Sequence, residues 1–109
     1  MNKQPNPIVT IGDVFIDVNE ILTIGKPCIV LMTPSRTGEY TEFCIVCRLW
    51  TPRGERNVMT KKFNIAEFPH EHQRESHPEA VRMTEQYHHA VKMMDHFADR
   101  FANQVLFGR

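Results

Sequence analysis

The C-terminal third of the chain carries apolar residues at helical spacing. Steps of four, three, four, three and four residues separate Met83, Tyr87, Ala90, Met94, Phe97 and Phe101. This period places them on one face of an α-helix. Ser76, Pro78 and Glu79 form a capping-box pattern at its start, with proline in the first turn. The pattern predicts a helix over residues 76–107, about 45 Å long.

Residues 8–63 alternate with the period of β-strands instead. Val14, Ile16 and Val18 alternate with Asp13, Phe15 and Asp17. Three further segments, 28–33, 40–50 and 56–63, predict strands separated by turns that contain proline and glycine. Residues 1–7 are predicted as a disordered tail and 64–75 as a loop. We therefore expect an α+β fold in a single domain over 1–109, with about four antiparallel β-strands followed by one long C-terminal α-helix.

The second predicted hairpin, formed by residues 40–50 and 56–63, has two distinct faces. Phe43, Ile45, Cys47 and Leu49 form the better core face, and Cys44, Val46, Arg48 and Trp50 the other. A bulge at Gly54 would add Met59 and Phe63 to the core. It would place Arg56, Val58, Thr60 and Lys62 beside Arg48 and Trp50. A slip of one residue in register would exchange these two sets.

The overall charge favours no class of partner. Thirteen basic residues balance thirteen acidic ones, so no global field attracts nucleic acid or a membrane surface. No apolar run approaches the ~20 residues of a membrane span, and the N-terminus lacks the apolar centre of a signal peptide. Three cysteines without scaffold spacing predict reduced thiols. These features lead us to expect a cytoplasmic protein with no membrane partner.

A local excess of positive charge marks the second hairpin. Residues 48–62 contain five basic side chains, one acidic side chain and the single tryptophan. Basic groups attract phosphate, and an indole ring stacks on any base. The predicted ligand-binding residues are Arg48, Trp50, Arg56 and Lys62. Lysine and arginine that merely protect a solvated sheet edge are the competing explanation.

Neither a metal site nor a catalytic motif is indicated. Cys44 and Cys47 have the spacing of a zinc knuckle, but on a strand their thiols point to opposite faces. The six histidines show no metal-binding spacing. Asp13 and Asp17 share a strand face, where solvated carboxylates are more common than an acid–base pair. We expect no metal, no cofactor and no enzymatic activity; a small metal-dependent enzyme is the remaining alternative.

The end of the helix is apolar over more than one stripe. A surface helix needs an apolar arc of only about 100°, so the excess suggests one contact with the sheet and another with a second chain. The predicted interface of a homo-oligomer consists of Met94, Phe97, Phe101 and Val105. A helix cradled in a curved sheet is the competing explanation.

The order of elements resembles small phage proteins of the Thoeris anti-defence type, which sequester cyclic nucleotide signals. They place an antiparallel sheet before C-terminal helices and assemble through those helices. The resemblance covers residues 9–106 as architecture, and no ligand residue carries over. It implies a phage protein that sequesters a cyclic nucleotide as a homo-oligomer.

Together these patterns predict a non-enzymatic oligomeric protein that captures a nucleotide or another phosphate-bearing ligand. One alternative is a protein–protein inhibitor or adaptor that acts through its helix or a sheet edge. A second alternative is a dimer that binds single-stranded nucleic acid.

Overall fold

The computed structural model describes residues 7–107, with side chains described for 7–98. Antiparallel strands precede a long helix, which confirms the α+β prediction. The strands are β1 (Ile8–Ile11), β2 (Val14–Asp17), β3 (Thr23–Ile24), β4 (Cys28–Pro34), β5 (Tyr40–Thr51), β6 (Gly54–Met59) and β7 (Phe63–Asn64). The helices are α1 (Glu71–Glu75) and α2 (Pro78–Phe107), with 3-10 turns at Val18–Glu20 and Ile65–Glu67.

The prediction of about four strands is wrong, because two long strand segments are interrupted. Gly12 adopts a φ of +59°, and Ile11 pairs directly with Val14, so the first segment folds back as the β1–β2 hairpin. In the last segment, regular pairing with β5 stops after Met59, and Thr60 bonds to β5 in a different way. Its amide donates to the Ile45 carbonyl, and its hydroxyl accepts from the Ile45 amide. Pairing with β5 resumes only at Phe63.

Strand β5 is the centre of the larger sheet. β3 and β4 pair along one of its edges, and β6 and β7 along the other. Its predicted core face is confirmed, since Phe43, Ile45, Cys47 and Leu49 are each at most 1% exposed. Three of these four side chains form one core with the β1–β2 hairpin and with Ala80, Met83 and Ala90 of α2. The other sheet surface, on the side away from α2, is called the outer face below.

Helix α2 holds the β1–β2 turn through side-chain hydrogen bonds. The Gly12 amide donates to Gln86 Oε1 at 2.7 Å, and Gln86 Nε2 donates back to the Gly12 carbonyl at 3.3 Å. Arg82 Nη2 donates to the same carbonyl and to Asp13 Oδ1, both at 3.2 Å. The small hairpin is therefore fixed to the helix by its turn as well as by its apolar face.

The start of α2 differs from the predicted capping box. Ser76 ends α1, where its hydroxyl donates to the His72 carbonyl at 2.7 Å. His77 caps α2 instead, because its Nδ1 accepts from the Glu79 amide at 3.1 Å. The His77 ring also lies 4.3 Å from Phe63 and 4.9 Å from Phe68, measured between ring centroids. This aromatic cluster positions the histidine ring, which explains why the cap falls one residue later than predicted.

We expect His77→Ala to destabilise the fold by about 2 kcal/mol, roughly half from the cap and half from aromatic contacts. Ser76→Ala should change the free energy of unfolding by at most about 0.5 kcal/mol, since Ser76 is exposed. His77→Asn restores a capping oxygen without the ring and should fall between them. Urea denaturation followed by circular dichroism measures all three; a larger loss in Ser76→Ala than in His77→Ala would contradict this assignment.

The long helix extends beyond the sheet. The described chain measures 64 × 25 × 23 Å along its principal axes, longer than the roughly 30–35 Å expected for a compact chain of this size. Met94 and Phe97 are partly buried against the protein's own core. Within the described residues, no helix has the length and apolarity required to cross a membrane.

Candidate functional site

The register of the second hairpin divides the predicted ligand-binding residues between two faces. Thr51 pairs with Gly54, so the turn has two residues and no bulge. Arg56 consequently pairs with Leu49, on the core-facing side of the sheet. The prediction that Arg56 lies beside Arg48 and Trp50 is wrong, although its role in binding stays untested.

The same register also moves two other side chains of β6 to the face opposite the predicted one. Val58 pairs with Cys47 and is 4% exposed, so it belongs to the core rather than to the outer face. Met59 pairs with Val46 and is 60% exposed, so the prediction of Met59 as core is also wrong. Phe63 is partly buried and packs against the core as predicted. Asn57, which the charge pattern did not single out, pairs with Arg48 on the outer face.

Arg48 and Trp50 remain together on the outer face. They are two residues apart on β5, and both are exposed although residues 43–47 and Leu49 are buried. The Trp50 side chain is 43% exposed. An arginine and a flat indole are thus presented side by side to solvent.

Lys62 lies in the link between β6 and β7, just before Phe63, which pairs with Phe43 of β5. Burial raises the pKa of the Cys44 thiol, the nearby Cys28 raises it further, and Lys62 opposes the rise. That influence places the lysine charge in the vicinity of Cys44. Cys44 and Trp50 are six positions apart on β5, a distance of about 20 Å at the usual strand rise. Arg48, Trp50 and Lys62 therefore mark an elongated surface rather than a compact pocket.

The cations of this surface are available for a ligand. In the described part of the chain, ion pairs involve only Arg82, with Asp13 and Glu79. Arg48 and Lys62 therefore have no carboxylate partner there. Glu55 pairs with Trp50 across the hairpin and lowers the local positive potential. The electrostatic attraction of this surface for phosphate is consequently moderate.

The cysteines are arranged for packing. Cys44 lies on the outer face and Cys47 on the core face, as the strand pattern predicts, and both are buried. Burial is the main cause that raises the pKa of Cys47 to about 11, and Cys28 adds to it. A raised pKa disfavours the thiolate form, which is the form that binds metals. Across the described residues, no three His, Cys, Asp or Glu side chains form a potential metal site.

Two larger grooves lie beside the sheet. One of about 770 Å³ runs between β4 and the helices, and its lining includes Ile29, Leu31 and Arg74. Another of about 490 Å³ lies between β6 and α2, above Val58 and Met83. Neither groove is lined by any of the four predicted ligand-binding residues. A ligand bound at Arg48 and Trp50 would therefore lie on an open sheet surface.

The predicted oligomer interface is only partly described. Met94 and Phe97 use part of their surface within their own chain, so they are not wholly available to a second copy. The side chains of Phe101 and Val105 lie outside the described residues. Assembly through α2 stays a prediction.

Comparison with known proteins gives no relative from which a role could be transferred. A scan against models of protein families, a search of curated proteins and a search of solved structures each found no match to this chain. Any function must therefore be argued from the geometry of the sheet and its side chains.

Proposed function

We propose that this protein is a non-enzymatic binding protein that captures a phosphate-bearing ligand on the outer face of its sheet. Arg48 and Trp50 form the centre of the site, and Lys62 lies at its far end. The guanidinium group offers paired donors to phosphate oxygens, and the indole offers a stacking surface for a base.

One observation carries this proposal. β5 is the most deeply buried strand, yet it exposes an arginine and the single tryptophan of the chain at alternate positions on one face. Trp50 is 43% exposed, so a large part of its surface is open to solvent. Stacking with a ligand ring would use the exposed indole surface, while Asn57 beside Arg48 adds an amide for hydrogen bonds.

The shape of the surface favours single-stranded nucleic acid within this ligand class. A mononucleotide usually binds in a concave pocket that buries most of its surface. Arg48 and Trp50 instead lie on an open strand, and Lys62 lies beside the other end of that strand. Single strands bind such surfaces through stacking platforms and a line of cations. Sequestration of a cyclic nucleotide by a phage protein is a narrower form of the proposal, and it requires a second copy to enclose the ligand.

Calorimetry against a short oligonucleotide and a panel of linear and cyclic nucleotides tests this proposal. At low salt we expect heat from the oligonucleotide, with affinity that falls as salt rises. Glu55→Gln removes the carboxylate opposite Trp50 and should tighten binding severalfold. Heat from a cyclic nucleotide alone would favour the narrower form.

The matched control is Glu39→Gln, which removes an exposed carboxylate outside the second hairpin. Equal tightening by both variants would indicate a general charge effect and contradict a site at Trp50. Absence of heat from every ligand would contradict the proposal and favour the protein–protein adaptor.

A further inference from the structure

Strand β4 has one unpaired edge. It pairs with β5 alone, and Cys28, Val30 and Met32 lie opposite Val46, Cys44 and Glu42. The backbone of Ile45 bonds to Thr60 on the other side of β5. Backbone groups alternate in direction along an antiparallel strand, so Cys28, Val30 and Met32 bond to β5. The amide and carbonyl groups of Ile29 and Leu31 consequently point outward, without a partner in the described chain.

Residues 28–32 of this edge lack the usual protection against pairing. Exposed edge strands commonly carry charges or bulges that discourage contact with another strand. β6, which lies at the opposite edge of the sheet, carries Glu55 and Arg56. By contrast, residues 27–35 contain no charged side chain, and Leu31 is 39% exposed. An apolar, uncharged edge of this kind is a template for a further strand.

We propose that β4 pairs antiparallel with β4 of a second copy, about a two-fold axis at Val30. Ile29 then lies opposite Leu31 of the other copy, and Leu31 opposite its Ile29. These two pairs use all the outward groups of both residues and form four backbone hydrogen bonds. Thr33 has a φ of +59°, which ends the regular edge and limits the pairing to this register.

Two features favour a second copy over a foreign strand. The register about Val30 is self-complementary, because each apolar side chain faces another apolar side chain on the same sheet face. The adjoining groove carries Lys26 and Arg74 together with Glu71 and Glu75. This balance of charges does not favour a strongly acidic or a strongly basic partner. In a two-fold dimer, by contrast, each copy brings both acidic and basic side chains to the groove of the other.

The resulting dimer has one continuous sheet and one continuous outer face. The two copies of Arg48 and Trp50 lie on the same side of it, related by the two-fold axis. The dimer does not depend on ligand binding, so its test is independent of the function proposed above.

Disulfide crosslinking tests the register. Val30 lies opposite Cys44 of its own chain, so both native cysteines near it are removed. In the absence of ligand, Val30→Cys in a Cys28→Ser, Cys44→Ala background places one thiol of each copy at the axis. The Cα atoms of such a non-hydrogen-bonded pair are about 4.5 Å apart, within the range that a disulfide spans. We expect rapid formation of a covalent dimer in mild oxidant. The control carries Asn57→Cys in the same background. Asn57 is exposed on β6, away from the axis, so this variant should form no covalent dimer. Equal crosslinking of both variants would overturn the proposal.

Light scattering with a charged edge variant provides the second test. Leu31→Lys should convert the dimer to a folded monomer, because Leu31 is 39% exposed and a lysine there can direct its charged end to solvent. Phe101→Glu, which probes assembly through α2, should leave this dimer intact. A monomeric wild type at its highest soluble concentration, or a Leu31→Lys variant that stays dimeric, would overturn pairing through β4.

Discussion

Gly12→Ala is expected to lower the free energy of unfolding by about 2–5 kcal/mol. The left-handed conformation of Gly12, with a φ of +59°, costs an L-residue roughly 1–2 kcal/mol. An added Cβ would also lie 2.9 Å from Val58 Cγ1. Relief of that contact must move a 4% exposed core residue, and overpacking of this kind costs about 1–3 kcal/mol.

Gly38→Ala separates these two costs. Gly38 has a φ of +86° but no atom within 4 Å of the added Cβ, so only the backbone cost of about 1–2 kcal/mol remains. Urea denaturation of both variants and the wild type gives the comparison. Equal losses would show that the contact between the β1–β2 turn and Val58 is absent in solution.

Trp50→Ala is expected to weaken binding of a single-stranded oligonucleotide by roughly 5- to 150-fold. This range follows from a stacking contribution of about 1–3 kcal/mol per base. The control is Phe15→Ala, since Phe15 is 74% exposed on the separate β1–β2 hairpin. A comparable loss in both variants would show that binding depends on exposed aromatic area in general rather than on the outer face.

Two arginine variants test the face on which the ligand binds. Arg48→Ala should weaken binding and flatten its salt dependence by about 0.7 in the logarithmic slope. Arg56→Ala removes the same charge from the same hairpin, but from the other face, and should have a smaller effect on affinity. The reverse order would favour the bulged register predicted from the sequence.

The pattern of side chains predicts the faces of β5 because alternate residues of a strand must point in opposite directions. The register between β5 and β6 is harder to predict from the sequence. The segment Thr51-Pro52-Arg53-Gly54 suits either a two-residue turn or a bulged one, and this choice moves Arg56 and Met59 between faces. Only the contacts of the whole sheet select the tight turn.

The residue that caps α2 is also not predictable from local sequence preferences. Ser76 and His77 both precede Pro78, and serine is the stronger capping residue by local preference. The long-range packing of the His77 ring against Phe63 and Phe68 selects histidine instead. The unprotected edge of β4 is partly visible in the uncharged segment 27–35, but that pattern is also typical of a central strand.

The most direct test of the proposed function uses the fluorescence of Trp50, the single tryptophan of the chain. Titration with a short single-stranded oligonucleotide at low salt should quench this emission in a saturable way, because bases stack on the indole. Added salt should reverse the quenching. If the emission stays unchanged while a labelled oligonucleotide shows binding, the ligand lies elsewhere. If neither signal changes, the outer face does not bind single-stranded nucleic acid.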